Sequence, residues 1–249
     1  MNTSSVLAQS RTVLVEKLRL EDGQEVVRKT YHFPTDKDQW RGALRGTFLG
    51  WNKAHREYAG LKYLERRGIP VVEALQWDCK RNHLRFVTSC SLITRAFEGE
   101  DLAKTLKRGS SPSKEHWTAI GESVRKMHDA GFWHRGLSAR NLMIGGDGKN
   151  HGNGIGKDHE SPSIAWLDTT KSKTYPPGGI ADEKRAFDLL RFWTPLMHHT
   201  TAQEKQSFAD AYGEDVDLEK WWSSIANWKR ASFRRELQRE EARFEEREN

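Results

Sequence analysis

Cysteine and long apolar runs are both scarce in this sequence. Two cysteines in 249 residues, Cys79 and Cys90, are too few for a disulfide framework, and no cluster of cysteine and histidine has the spacing of a zinc site. No stretch approaches the roughly 18 consecutive apolar residues that a membrane-spanning helix requires, and the first residues lack the basic-then-apolar order of a secretory signal. We therefore expect a cytoplasmic protein with reduced cysteines.

A strong charge of one sign is also missing. The sequence has 41 Lys and Arg against 35 Asp and Glu, a formal net charge of +6, and the two signs are mixed along most of the chain. This excess selects no partner by itself, and we expect no nucleic-acid binding. Tryptophan, by contrast, is abundant: ten tryptophans are spread along the chain and require a folded interior to cover them. A chain of this length can bury such a core in one domain or in two small lobes.

The spacing of apolar residues divides the chain into a strand-rich part and a helical part. Strands are predicted over residues 13–20, 25–31, 71–77, 84–96 and 164–168, with a polar turn at 80–83, and helices over residues 52–67, 101–107, 114–130 and from 181 onward. The character changes near residue 97, which predicts an N-terminal lobe over residues 1–96 and a C-terminal lobe over residues 97–249. Residues 145–163, polar and glycine-rich, indicate a surface loop, and residues 229–249 indicate a charged, solvated helix.

Four polar features occur in an order that points to phosphate chemistry. Lys29 lies near the end of a strand, and Glu57 borders the apolar stripe of the following helix, where an acidic side chain needs a cation such as Lys29. Residues 134–141 form a polar loop that ends in Asn141, whose amide oxygen can bind a hard cation. Asp168 closes the next apolar strand, a suitable place for a carboxylate that holds Mg²⁺. Each feature alone also fits an ordinary surface or turn residue.

Taken together, these features match the parts of a protein-kinase-type phosphoryl-transfer site, in the correct order along the chain. In such a site Lys29 orients the phosphates of ATP and is held by Glu57. Asn141 and Asp168 bind the Mg²⁺ that offsets the phosphate charge. The combination predicts an α+β, two-lobed protein-kinase-like fold, with an antiparallel sheet and one helix in the N-terminal lobe and a mainly helical C-terminal lobe.

The catalytic loop of this pattern begins at His134 and Arg135, and Asp188 in a later helix has the position of a residue that braces such loops. The chain resembles the bacterial lipopolysaccharide kinase (Kdo/WaaP) family over roughly residues 10–195. The resemblance rests on residues 28–31, 54–70, 127–144 and 166–168. It implies an ATP- and Mg²⁺-dependent kinase that phosphorylates a heptose or Kdo sugar of the lipopolysaccharide inner core. It further implies an anionic sugar or lipopolysaccharide-type substrate and peripheral contact with the inner face of the inner membrane.

The sequence departs from the family pattern at the positions closest to the chemistry. Gly136 stands where the family has the aspartate that accepts or orients the proton of the substrate hydroxyl. Thr169 follows Asp168 where an apolar residue is expected, and no glycine-rich phosphate-covering loop precedes Lys29. The retained residues predict binding of Mg²⁺-ATP, whereas Gly136 predicts slow or absent transfer.

Three interpretations of the sequence therefore stay open. The first is an active phosphotransferase of the lipopolysaccharide kinase type with weak activity, because phosphoryl transfer depends on positioning and electrostatics more than on proton removal. The second is a pseudokinase, a nucleotide-binding or regulatory module without the catalytic base. The third is an α/β interaction protein that has no such site.

Overall fold

The computed structural model describes residues 4–44, 52–145 and 163–245. The chain forms two compact units: unit 1 contains the residues up to Phe97 together with Asp168–Lys171, and unit 2 contains Glu98–Leu167 and the residues from Ser172 onward. The stretch Asp168–Lys171 thus belongs with the N-terminal residues, whereas the sequence pattern assigns it to the C-terminal lobe. Most of the glycine-rich segment interpreted as a surface loop lies outside the described residues.

Unit 1 is built on a five-stranded antiparallel sheet with the strand order β1-β2-β3-β5-β4. Its strands are β1 (Ser4–Gln9), β2 (Val13–Arg19), β3 (Glu25–His32), β4 (Ala74–Arg81) and β5 (Val87–Arg95). The predicted hairpin of β2 and β3 is confirmed, and its turn uses Gly23, whose φ of 82° suits a residue without a side chain. The sequence does not predict β1, because its residues are all exposed and show no regular alternation.

The described part of unit 1 also contains two helices, α1 (Asp36–Leu44) and α2 (Lys53–Glu65). The predicted helix over residues 52–67 is confirmed as α2, and the side chain of Asn52 caps it by accepting a hydrogen bond from the His55 N–H at 2.8 Å. The buried face of α2 includes Glu57. The sequence does not predict α1, because its large apolar residues, Trp40 and Leu44, are both exposed.

The turn between β4 and β5 differs from the prediction. The sequence predicts it at residues 80–83, but β4 continues to Arg81 and the chain reverses over residues 82–86, where Asn82 Oδ1 accepts a hydrogen bond from the Phe86 N–H at 3.0 Å. Because β4 lies at the edge of the sheet, a charged residue such as Arg81 can extend the strand with its side chain in solvent. Polarity alone therefore places the turn at the wrong residues.

Unit 2 is mainly helical and has two small antiparallel sheets, β6-β8-β9 and β7-β10. Its described helices are α3 (Leu102–Lys107), α4 (Lys114–Asp129), α5 (Asp182–Trp193), α6 (Ala202–Tyr212), α7 (Leu218–Ser223) and α8 (Asn227–Glu245), and its strands are β6 (Glu100–Asp101), β7 (Phe132–Trp133), β8 (Leu142–Ile144), β9 (Ile164–Trp166) and β10 (Lys173–Thr174). The helices predicted over residues 101–107 and 114–130 are confirmed. Aromatic side chains fill the core, among them Trp117, Trp166 and Trp193. No helix in residues 4–44, 52–145 and 163–245 is both long enough and apolar enough to cross a membrane.

The helix α8 corrects a prediction. The charged composition of residues 229–249 predicts a solvated helix, but α8 buries Phe233, Leu237, Glu240 and Phe244. These four residues recur every three or four positions, so they form a stripe only one residue wide along the helix. The many arginines and glutamates around the stripe mask it in the composition.

Candidate active site

In unit 1 the strand β3 and the helix α2 bring Lys29, Tyr31 and Glu57 together. Lys29 and Tyr31 are two positions apart in β3 and therefore point to the same face of the sheet. Lys29 Nζ lies 3.0 Å from Glu57 Oε1, and the Tyr31 hydroxyl donates a hydrogen bond to Glu57 Oε2 at 2.6 Å. Glu57 is only 4% exposed. Both of its carboxylate oxygens are thus satisfied, which a buried carboxylate requires.

This environment keeps Lys29 charged. Burial disfavours the ammonium, but attraction to Glu57 and Asp168 outweighs it and raises the pKa of Lys29. Burial, followed by the nearby carboxylate of Glu57, raises the pKa of Tyr31 well above its ordinary value, so its hydroxyl remains a donor. The result is a fixed cation within β3, suited to a phosphate oxygen.

Asp168 is the second carboxylate near Lys29 in unit 1. Its Oδ1 lies 3.6 Å from Lys29 Nζ and accepts a hydrogen bond from the Thr170 hydroxyl at 2.6 Å. Its φ of 51° is in the left-handed region, a conformation that costs a residue with a side chain about 1 kcal/mol or more. Among the described residues, Arg85, Arg135 and Asp168 have this backbone conformation without being glycine, and two of these belong to the predicted site.

Thr169 accounts for one departure from the kinase pattern. Its side chain is fully buried, and its hydroxyl donates a hydrogen bond to the backbone carbonyl oxygen of Glu57 at 2.9 Å. The polar residue therefore ties the stretch Asp168–Lys171 to the helix α2, which an apolar residue could do only by packing.

In unit 2 the predicted catalytic loop is held at its start by Asp188 of α5. The Asp188 carboxylate accepts hydrogen bonds from the backbone N–H groups of His134 and Arg135, both at 2.9 Å. Asp188 is fully buried. His134 is buried as well. The centre of its ring lies 6.1 Å from that of Phe132 and 6.0 Å from that of Trp166. This arrangement fixes the backbone at the residue that precedes Gly136.

Gly136 and Asn141 face each other across the loop. Asn141 Nδ2 donates a hydrogen bond to the Gly136 carbonyl oxygen at 2.9 Å, so the amide oxygen of Asn141 is the atom suited to a cation. A Cβ atom placed on Gly136 would lie 3.5 Å from His134 Nδ1 and 3.9 Å from Asn141 Nδ2, which are ordinary contact distances. The loop therefore has room for a side chain at residue 136.

The end of the loop is held by a residue that the sequence does not predict. Ser138 Oγ and the guanidinium of Arg140 both donate hydrogen bonds to Glu240 of α8, at 2.7 Å and 2.6 Å. Arg191 of α5 donates to the other oxygen of the same carboxylate at 2.7 Å. More than a hundred positions separate Ser138 from Glu240, so no local pattern could reveal the contact.

A group of cations and aromatic rings lies beside the loop, and we call it the cation–aromatic cluster. Arg135 Cζ lies 5.0 Å and Lys184 Nζ 5.8 Å from the centre of the Trp133 ring, and Lys184 Nζ lies 4.9 Å from that of Tyr175. In the pairing of β7 with β10, Lys173 stands opposite Trp133. Such a cluster concentrates positive charge on a surface with flat apolar faces.

The sequence is similar to those of known kinases. Two curated relatives are both described as 3-deoxy-D-manno-octulosonic acid kinase. The one from Haemophilus influenzae (strain PittGG) is 29% identical over 110 residues, 44% of each chain, and the one from Photobacterium profundum is 31% identical over 113 residues, 42% of this chain and 47% of the relative. The matched segment thus spans less than half of the length of these relatives.

Solved structures match nearly the whole chain. "WaaP in complex with acyl carrier protein" has a TM-score of 0.58 at 14% identity, covering 98% of this chain and 89% of that one. The Rio2 kinase-ADP/Mg²⁺-phosphoaspartate complex from Chaetomium thermophilum has a TM-score of 0.52 at 15% identity, with coverages of 98% and 71%. At these identities the likeness shows the fold, which confirms the predicted α+β protein-kinase-like class. The family model described as the lipopolysaccharide kinase (Kdo/WaaP) family matches residues 9–212, and the chain therefore belongs to this family.

Proposed function

We propose that this protein is a phosphotransferase that moves the γ-phosphoryl group of ATP, with Mg²⁺, to a hydroxyl of an anionic sugar, and that Gly136 makes the transfer slow. The observation that carries the proposal is the charged Lys29 held between Glu57 and Asp168. A half-buried lysine with two carboxylate partners is a poor choice as a purely structural element, because a hydrophobic pair of similar size often stabilises a protein as well. It is the arrangement that a phosphate-orienting lysine requires.

The oxygen donors of the candidate residues suit magnesium. Mg²⁺ binds through one or two carboxylates together with phosphate and water oxygens, and the Asp168 carboxylate and the amide oxygen of Asn141 are donors of this kind. When bound, Mg²⁺-ATP supplies the phosphoryl group and a cation that offsets its charge. The role of Lys29 is then to orient the phosphates. Asp188 keeps the backbone at His134 and Arg135 in place, and this restrains the loop that would receive the sugar hydroxyl.

We assign the acceptor to the class of anionic sugars. The curated relatives are named for 3-deoxy-D-manno-octulosonic acid, a sugar acid, and the cation–aromatic cluster includes Arg135, the loop residue that precedes Gly136. Its cations suit a carboxylate or phosphate of the acceptor, and its rings suit the apolar face of a sugar. An acceptor carried by a lipid would place the enzyme at the inner face of the inner membrane.

A pseudokinase is the second candidate function, and Gly136 is the observation that favours it. Loss of a general base costs about 10² to 10⁴ in rate, which makes transfer undetectable in many assays. In that case the chain binds nucleotide and the sugar-kinase chemistry is lost. The same residues bind nucleotide in both proposals, so the two differ only in turnover.

The test combines nucleotide binding with phosphate transfer. Thermal unfolding is measured with and without millimolar Mg²⁺-ATP, because a ligand that binds the native state raises the melting temperature. Transfer of labelled phosphate to an acceptor that ends in 3-deoxy-D-manno-octulosonic acid is measured for the wild type, Gly136→Asp and Asp168→Asn. Wild-type transfer above the Asp168→Asn background supports the kinase. A thermal shift without wild-type transfer, with transfer gained in Gly136→Asp, supports the pseudokinase. No thermal shift contradicts both.

A further inference from the structure

The helix α8 contributes a buried carboxylate to the catalytic loop from outside the family match. The match ends at residue 212, whereas α8 begins at Asn227. Glu240 of α8 is only 1% exposed, and its Oε1 accepts hydrogen bonds from Ser138 Oγ at 2.7 Å and from Arg140 Nε and Nη2 at 3.2 and 2.6 Å. Glu240 therefore contacts the loop from a helix that lies beyond the segment matched by the family model.

The charge of Glu240 is balanced on both sides. Arg140 faces one carboxylate oxygen, and Arg191 of α5 donates to the other at 2.7 Å. Removing a carboxylate from water is costly unless its partners have good geometry, and here two guanidinium groups and one hydroxyl provide them. The carboxylate is therefore fixed in position and can transmit the placement of α5 and α8 to the loop.

Helix α5 holds both ends of the loop. Asp188 and Arg191 are three positions apart and so lie on one side of the helix. Asp188 binds the backbone of the first loop residues directly, whereas Arg191 binds the last ones through Glu240. Asn141 follows Arg140 immediately and reaches back to the carbonyl oxygen of Gly136. The orientation of its amide group thus depends on both anchors.

We propose that Glu240 is a positioning residue, which fixes Ser138 and Arg140 and thereby orients Asn141 for Mg²⁺. The effect of Glu240 on nucleotide binding rests on the proposed function, whereas the effect of Glu240 on the order of the loop does not. In a kinase-like loop without the usual aspartate, positioning is the contribution to transfer that remains. The helix α8 is on this account part of the catalytic apparatus.

The first test measures loop order by hydrogen exchange in the full chain. Glu240→Gln keeps the shape but removes the charge, and we expect exchange of residues 134–145 to become about tenfold faster, the effect of losing a charge-assisted hydrogen bond. Glu236→Gln is the matched control, because Glu236 binds the same Arg191 from one turn earlier in α8. We expect the control to change loop exchange by less than about twofold, because Glu236 bonds to α5 and makes no bond to the loop among the described contacts.

Two results would overturn the proposal: loop exchange unchanged in Glu240→Gln, or exchange raised equally throughout the chain, which is general destabilisation. If Glu240→Gln does not fold, Arg140→Gln tests the same contact from the loop side.

The second test measures ADP affinity by calorimetry with and without Mg²⁺. Glu240→Gln is expected to weaken Mg²⁺-ADP binding about tenfold and to leave metal-free ADP binding unchanged, because only the metal uses Asn141. Equal weakening of both would contradict the positioning role. Wild-type protein that binds neither ligand would overturn the proposed function, while the exchange result still decides whether Glu240 orders the loop.

Discussion

The side-chain amide of Asn141 donates a hydrogen bond to the backbone carbonyl oxygen of Gly136 at 2.9 Å. The bond uses the main chain of residue 136, so it does not depend on which side chain that residue carries. A Cβ atom on Gly136 would meet its neighbours at ordinary contact distances. A side chain at residue 136 can therefore be added while this hydrogen bond stays in place.

Restoring that carboxylate is expected to restore the reaction. Gly136→Asp should raise phosphate transfer about 10² to 10⁴-fold, the usual contribution of a general base, and should change the free energy of unfolding by less than about 1 kcal/mol. Labelled-phosphate transfer and urea unfolding check the two parts. Gly136→Asn is the matched control, since it has the same size but cannot accept a proton. An equal gain in both variants would show that bulk, not the base, limits the wild type.

Removing the ammonium group of Lys29 should abolish nucleotide binding. Lys29→Met leaves the buried Glu57 carboxylate with Tyr31 as its remaining hydrogen-bond donor, so we expect a loss of about 3 kcal/mol in the free energy of unfolding. The Mg²⁺-ATP thermal shift should disappear. Lys62→Met is the control, because Lys62 pairs with Glu65 on the surface and its loss should cost about 0.5 kcal/mol or less. A full thermal shift in Lys29→Met would contradict the assignment of Lys29.

The stability that the Glu240 carboxylate contributes to the folded protein should depend on pH in the acid range. Burial acts to raise the pKa of Glu240, but Arg191, Ser138 and Arg140 outweigh it and hold this pKa below its ordinary value of 4.5. A carboxylate with a lowered folded-state pKa stabilises the protein above its unfolded-state value, and this contribution is lost as the pH falls through the folded-state pKa.

Urea unfolding of the wild type and of Glu240→Gln from neutral to acid pH measures this dependence. The stability advantage of the wild type should be constant around neutral pH and should shrink below pH 4.5, the ordinary value for glutamate. An advantage that does not change with pH would mean that Glu240 contributes no charge-dependent stabilisation.

The cation–aromatic cluster should affect the acceptor and not the nucleotide. In the Gly136→Asp background, where turnover is measurable, Lys184→Ala is expected to raise the KM for the anionic acceptor about five- to tenfold and to leave the KM for ATP unchanged. The effect should decline with salt, because the charge is partly exposed. Lys126→Ala, an exposed lysine of α4, is the control. A change in the KM for ATP alone would argue against an acceptor subsite at this cluster.

Local patterns predict the parts of the site that lie on regular elements. The strand around Lys29 and the helix of Glu57 follow from alternation and from apolar spacing, and the motif order then links them. Their 3.0 Å contact is what the structure shows. Tyr31 could have been suspected from the same strand, since it stands two positions after Lys29 on the same face.

Contacts between segments that are distant in the sequence cannot be predicted from local patterns. Thr169 breaks the apolar expectation because its hydroxyl bonds to α2, a partner defined only after folding. Glu240 resembles any other glutamate in a helix whose composition is dominated by charge, and only the narrow buried stripe distinguishes it. For a related reason the sequence predicts the turn at residues 80–83 and not at 82–86, and it does not predict the helix α1: exposed residues show little apolar periodicity.

The contact between Ser138 and Glu240 spans 102 positions of the chain, and this has a consequence for biosynthesis. The ribosome makes the loop well before it makes α8, and a contact of such sequence separation closes late because its loop-closure entropy is paid first. A nascent chain therefore carries a loop that is not yet anchored at one end. The second anchor of the loop can form only after α8 has emerged, so the ordering of residues 138–140 is a late step of synthesis.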